Sequence, residues 1–377
     1  MRPFLWIIFL SVCFVSTRKT NDRISINSDG QLVMTFETHH LSTFFSNKIF
    51  GNIELILLET KDDCLIGREP IGLYLDNHHF FIKDNQQKII FRFDRAGKFI
   101  NSIGRRGMGP EEYSAIYDLY IDTLSKAVEI LAPKGQILRY GYDGNFISKQ
   151  SYDESLLSFI KARDNYWFYT HQMTGNERLM KVSEDGTVIV KYLPSKTDWM
   201  PIAINNYMDQ CGYWITFKDM FSSTVYRITD DGPVETTVID FGKHTIQEHF
   251  YQMDLSEALN ELGKKGCAGI LKYFENDQFI YLFFFIVRQA DLPNDHYHWL
   301  VNKKTGNSVL HKLSSENSTE EDDIHKGAKA LTADNQLVFM MNKPMLNDPF
   351  FSNAKNIKDS LSEESNPVIA LLRINNF

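Results

Sequence analysis

One phrase recurs along this chain of 377 residues and narrows the folds open to it. It is a pair of short apolar-alternating runs joined by a turn that ends in glycine. The copies are FRFDRAGKFINSIG at 91–104, LRYGYDGNFIS at 138–148, MKVSEDGTVIV at 180–190, YRITDDGPVET at 226–236 and LVNKKTGNSVL at 300–310. Each reads as an antiparallel hairpin, because a tight turn needs positive φ and glycine adopts it at little cost. Asp143, Asp185 and Asp231 directly precede three of the glycines, where a carboxylate can accept from the turn N–H groups. The glycines Gly97, Gly144, Gly186, Gly232 and Gly306 are spaced by 47, 42, 46 and 74 residues. The first three gaps match the roughly 40–50 residues of a propeller blade, and the last is one such unit plus an insertion.

The stretches between the turns supply the remaining strands. For the second unit they are 116–122, 126–132, 136–142 and 145–150, a four-stranded antiparallel meander. One such sheet cannot cover both of its faces, so the units must stack, and the 28 Phe and 17 Tyr suit the wedges between them. Counting along the chain gives five complete units and a sixth with only three strands, at 327–333, 336–342 and 367–374. The run Ile53–Glu59 supplies the fourth. The expectation is an all-β, six-bladed β-propeller over 53–377, closed by an N-terminal strand that pairs near Val368–Ile374 and removes the open edge.

Two segments interrupt the pattern. Residues 243–266 read as a helical insertion with Asp254 as N-cap, an apolar face of Ala258, Leu259 and Leu262, and Gly263 as the stop. Residues 343–366 read as a polar, partly helical loop.

The N-terminus has the form of an export signal over 1–17: Arg2, an apolar run from Phe4 to Val15, then Ser16-Thr17-Arg18. That run is shorter than the roughly 20 residues a membrane span requires. Leu10-Ser11-Val12-Cys13 approximates a lipobox, which makes Cys13 the candidate lipidation residue, and 18–52 then forms a leader to the propeller. The expected location is therefore periplasmic or outer-membrane-associated, with a membrane contact only through the lipid anchor. Cys64, Cys211 and Cys267 lack metal-type spacing, allow at most one bridge, and read as small hydrophobes in strands or loops. A net charge of −8 argues against nucleic acid as a partner, and the acidic run 316–323 reads as a solvated loop.

Several phrases carry a family resemblance: LLETKDDCLIG at 57–67, IIFRFDRAGKFINSIG at 89–104, GRRGMGPEEY at 104–113 and NPVIALLRI at 366–374. With them the chain resembles the exported six-bladed, NHL-repeat-like β-propeller proteins of Bacteroidetes-type bacteria. The resemblance implies fold and compartment but no reaction.

Functional residues are harder to read. In GRRGMGPEEY, Arg105, Arg106 and Glu111 are candidate binding residues with Tyr113 beside them, since two guanidiniums can hold a carboxylate or an acidic sugar. The competing reading makes the loop a rigid inter-blade connection with Tyr113 packed between sheets. His296 and His298 share a strand face but lack further ligands at recognisable spacing, and they read as exposed or edge histidines. Asp118 and Asn205–Asn206 are inner-strand polar candidates, and Trp167, Trp199, Trp214 and Trp299 read as blade packing before sugar stacking. No nucleophile–base spacing stands out. The expected function is a non-enzymatic binding or scaffold module for a glycan, peptide or protein of the envelope, needing no cofactor. The alternative is a metal-dependent lyase or lactonase using calcium in the central channel, as similar propellers do.

Overall fold

Strand alternation decides how this chain builds a ring. In the strand His79–Asp84, Phe80 and Ile82 point to one side and Phe81 to the other, and all three are buried. Phe80 and Ile82 join Val338 and Ile369 in one core cluster, while Phe81 joins Val128 and Ile130 in the next. Each sheet is thus apolar on both faces and shares a separate core with each neighbour. The computed structural model describes residues 23–39, 41–67, 71–170, 177–197, 207–288, 293–314 and 326–377.

Six sheets of this kind form the expected propeller. Their innermost strands are Ile71–Leu75, Asp118–Asp122, Leu156–Ala162, Met208–Cys211, Ala268–Glu275 and Ala330–Leu331, for blades one to six in chain order. The ring closes as expected: Phe50–Leu57 lies antiparallel to Val368–Ile374, from Leu57 opposite Val368 to Phe50 opposite Ile374. The pairing begins three residues before Ile53 and stops two short of Glu59.

The innermost strands end in tight connections at 76–78, 123–126, 163–164, 212–213, 276–278 and 332–335. We call this the turn end of the ring. The glycine hairpins lie here too. Gly97 has φ +85°, and a Cβ on it would come within 2.0 Å of the Leu57 carbonyl oxygen on the closing strand. The opposite, loop end carries the long connections, among them 104–117, 241–267 and 342–367.

The insertion at the loop end is helical over Leu255–Lys265, and the Asp254 carboxylate accepts the Glu257 N–H at 2.9 Å. It does not stop at Gly263. Gly266 takes the left-handed position, φ +62°, so Lys264 and Lys265 complete the last turn where cations suit the helix dipole. Ala258 and Leu262 are buried but Leu259 faces solvent, so the apolar face is narrower than expected. The second interruption holds short helical turns at Met345–Asn347 and Pro349–Ala354 and a helix at Lys355–Ser360.

The segment before the closing strand is a belt across three blades. Ile24–Ile26 and Leu32–Thr35 form a hairpin, and the second of these strands lies parallel to the outer strand Gly232–Asp240 of blade four, making a six-stranded sheet. The chain then crosses blade five. There Phe36 packs edge-on to Phe284 and Tyr297, the Ser42 N–H donates to the Leu310 carbonyl at 2.8 Å, and Phe44 stacks on His298. Finally it enters blade six as the closing strand.

Candidate functional site

A cavity of about 1260 Å³ occupies the channel and opens at the turn end. Its rim is made of exposed residues at the strand ends and turns, including Asn77, His78, Thr123, Gln210 and Asp334. Its walls come from the innermost strands, with Tyr74, Asp118, Asp209 and Lys329 among the polar groups and Phe159 and Ile160 among the apolar ones.

On the rim, one polar network links Asp76, His79, Arg92 and Tyr142. The Asp76 carboxylate accepts the backbone N–H groups of His78 and His79, both at 2.7 Å, and the Tyr142 hydroxyl at 2.8 Å. Arg92 donates to the Tyr142 carbonyl and to His79 Nε2, each at 2.8 Å, and its guanidinium lies over the Tyr142 ring. A guanidinium only donates, so His79 Nε2 accepts and its Nδ1–H donates to Asp76 at 3.1 Å, which assigns the neutral tautomer. Burial pushes the Asp76 carboxyl up, but the donors from His78, Tyr142 and His79 outweigh it and hold the group below its ordinary value.

Deeper in the channel, Asp118 ties three blades together. One oxygen accepts from the Tyr74 hydroxyl at 3.0 Å and the Leu119 N–H at 2.8 Å. The other accepts from the Ser158 hydroxyl at 2.5 Å and the Phe159 N–H at 3.1 Å. Burial first, and the Asp118 charge second, push the Tyr74 phenol well above its ordinary range.

Four lysines lie on the inner strands or next to them. Lys83, at the inner end of the second strand of blade one, is buried and donates to the Tyr117 carbonyl at 3.1 Å. Lys218, at the matching place in blade four, is buried and donates to the Leu271 carbonyl at 3.3 Å. Lys272, in the inner strand of blade five, and Lys329, just before that of blade six, are half-buried. Burial lowers all four ammoniums, to about 8 for Lys83 and about 7 for Lys218 and Lys329, and the Lys272 charge adds to the lowering of the other three. Asp118 opposes it at Lys83 and Lys272, and Asp209 at Lys218 and Lys272.

Of the residues expected from sequence, Asp118 does reach the channel, while Cys13, Trp199 and Asn205–Asn206 lie outside the described residues. Arg105, Arg106, Glu111 and Tyr113 sit in the connection 104–117 at the loop end, across the ring from the cavity rim. The loop is held from within. The Tyr113 hydroxyl donates to the Ile103 carbonyl at 3.2 Å, Tyr140 donates to the Glu111 carbonyl at 2.7 Å, and Glu112 accepts the Gly109 N–H at 2.8 Å. Tyr113 is buried, whereas Arg105 and Arg106 are exposed.

His296 and His298 are buried, not exposed, because their strand Asp295–Asn302 is covered on both sides. His298 pairs with the Tyr281 hydroxyl at 2.8 Å, and burial holds it well below the ordinary imidazole value. Trp167 and Trp299 are core residues, and Trp214 lies beneath Arg227 and Lys303. Cys64, Cys211 and Cys267 are buried free thiols. Among the described residues no group of three His, Cys, Asp or Glu side chains comes together to hold a metal ion, and no helix is long and apolar enough to cross a membrane.

The channel lysines were missed in the sequence, although a signal existed. Ile82-Lys83-Asp84 and Phe217-Lys218-Asp219 both end a buried second strand, and a lysine there interrupts an otherwise apolar run.

Comparison with known proteins agrees with this architecture. A crystal structure of a Bacteroides fragilis protein described as exported superposes with a TM-score of 0.74 at 17% identity, covering 91% of this chain and 100% of the other. A DUF4221-family structure from Bacteroides vulgatus gives 0.58 at 10% identity, covering 88% and 99%. At these identities the likeness is one of fold. No curated protein matches the chain in sequence. A family model does match, over residues 31–373, and the chain belongs to that family, the domain of unknown function DUF4934.

Proposed function

We propose that this protein is an exported, envelope-associated binding module that takes part of a glycan, peptide or protein partner into the turn-end cavity. The observation that carries this reading is the cavity itself, about 1260 Å³ and lined by polar groups already fixed by one another. A wall preorganised in this way loses little freedom when a ligand binds. The relative described as exported and the signal-like residues 1–17 support the compartment. Periplasmic or outer-membrane placement through Cys13 follows from the lipobox-like sequence, and fatty-acid labelling of wild type against Cys13→Ala tests it. The lysines around the channel make it a poor seat for calcium, so the lyase or lactonase alternative gains no support.

The test is a thermal-shift screen of envelope glycans and peptides against the full chain and against Thr123→Trp and Gln210→Trp, which narrow the mouth. A ligand whose effect disappears in the narrowed variants is the expected result. Turnover of a channel ligand, or binding indifferent to both substitutions, would overturn the reading.

A further inference from the structure

We propose that Arg95, at the turn-end mouth of the channel, is the seat for a carboxylate, and that the ligand carrying it is a uronate-bearing glycan. This rests on the cavity being a binding site, and it names the chemistry of what binds there.

The first argument is a missing acceptor. Arg95 lines the cavity and is half-buried. Among the described residues nothing accepts a hydrogen bond from its guanidinium, and its Nη1 is buried without a partner. Every other described arginine outside the connection 104–117 meets a carboxylate or carbonyl oxygen. Arg92, three residues earlier and also lining the cavity, shows the contrast, since it donates to the Tyr142 carbonyl and to His79. A partly desolvated guanidinium without an acceptor is an exception that a bound anion would explain.

The second argument is that this guanidinium is held in place. It lies over the Phe80 ring, 4.5 Å from the centroid. Phe80 is fully buried in the core that blade one shares with blade six, so the platform is rigid. The backbone that carries Arg95 is fixed as well. It belongs to the hairpin turn after Ile89–Asp94, where Asp94 Oδ1 accepts the Ala96 and Lys98 N–H groups, both at 2.9 Å. A stacked guanidinium of this kind keeps its planar fork ready for a planar carboxylate.

The third argument is that the acids of the mouth are engaged elsewhere. Asp76 accepts from His78, His79 and Tyr142. Asp334, which blade six brings to the rim, pairs with Arg373 at 2.9 Å. The anion that fits Arg95 therefore comes from outside the chain.

The remaining groups at the mouth favour a sugar as its carrier. Asn77, His78 and Gln210 offer amides and an imidazole, which both donate and accept as sugar hydroxyls do. Beside the lining residue Gly212 stands Tyr213, fully exposed, whose apolar face and polar tip suit a pyranose ring.

The experiment is isothermal titration of the full chain with tetrasaccharides of galacturonic and of glucuronic acid. Each is measured beside its carboxyl-reduced neutral form, and a tetraglutamate peptide is the third probe. One uronate is expected to bind about tenfold or more tightly than its reduced form. Arg95→Met should abolish that preference by weakening the uronate while leaving the neutral form unchanged.

If neither uronate binds the wild type, if the reduced forms bind as tightly, or if Arg95→Met keeps the preference, the inference is overturned. Tighter binding of the peptide than of either uronate would overturn it too. The wild-type comparison of acid with reduced sugar decides even if the variant fails to fold. A neutral glycan or peptide that is blocked by Thr123→Trp and bound equally by Arg95→Met would refute the carboxylate seat and leave the binding-module reading standing.

Discussion

The two ends of this ring obey different rules. At the turn end, each innermost strand hands over to the next within two to four residues, and the hairpin glycines Gly97, Gly144, Gly186 and Gly232 press against the blade before. At the loop end, connections of very different length carry helices and an internally bonded Gly-Pro loop. The turn end is fixed by backbone sterics, so its composition repeats. The loop end is fixed by side-chain packing, so it varies. The cavity joins them, with its rim on the repetitive end and its lysines toward the variable one.

The largest expected effect separates the ends through glycine. Gly97→Ala meets both a positive φ and the Leu57 carbonyl, neither of which can yield, and should cost about 3 kcal/mol or more in chemical denaturation. Gly107→Ala in the loop-end connection meets only the Glu112 side chain and should cost about 1 kcal/mol. Equal losses would erase the distinction between the ends.

The next effect belongs to the channel. Lys83, Lys218 and Lys329 hold protons less tightly when folded, with values of about 8, 7 and 7 against an ordinary 10.5. Between those values the unfolded chain binds more protons than the folded one. Stability should therefore rise with pH from about 7 toward 10, by at most about 1.4 kcal/mol per pH unit for each lysine. Denaturation midpoints at pH 7, 8 and 9 check this, and Lys272→Met should raise the pH 7 value and flatten the slope. A fall in stability over that range would show that the ammoniums are better compensated than their surroundings indicate.

A smaller gain is expected at the turn end, where Lys126 holds φ +51° and is exposed. Lys126→Gly should stabilise by about 1 kcal/mol by relieving the left-handed strain. The smallest effect is at the loop end. The exposed pair Arg105→Ala, Arg106→Ala should change stability by less than about 0.5 kcal/mol and leave cavity binding intact. Loss of binding in that double variant would move the site to the opposite end of the ring.

Why the fold was legible and the site was not follows from the same contrast. The turn glycines and the alternating aromatics are local signals, and the ring closure followed from counting strands. The belt was not read because Leu32–Thr35 pairs in parallel with a strand some 200 residues away, although Leu32, Met34 and Phe36 do alternate. His296 and His298 were misplaced because a histidine in a strand covered on both faces has the same spacing as one at an edge. The lysines escaped for a related reason. A cation in a buried strand looks like an exception to the pattern until the ring brings four of them to one axis.

The belt has a consequence for how the molecule comes into being. Chains emerge from the ribosome N-terminus first. Residues 24–57 therefore exist before any of blades four, five and six, the blades they hold together. Leu32–Thr35 must wait for Gly232–Asp240, and Phe50–Leu57 for Val368–Ile374. Until its own partner appears, each of these strands is an open edge able to pair with another chain. The newborn protein is thus most exposed to misassembly through the segment that later makes the ring hardest to open, and a truncated product would keep that adhesive strand permanently unpaired.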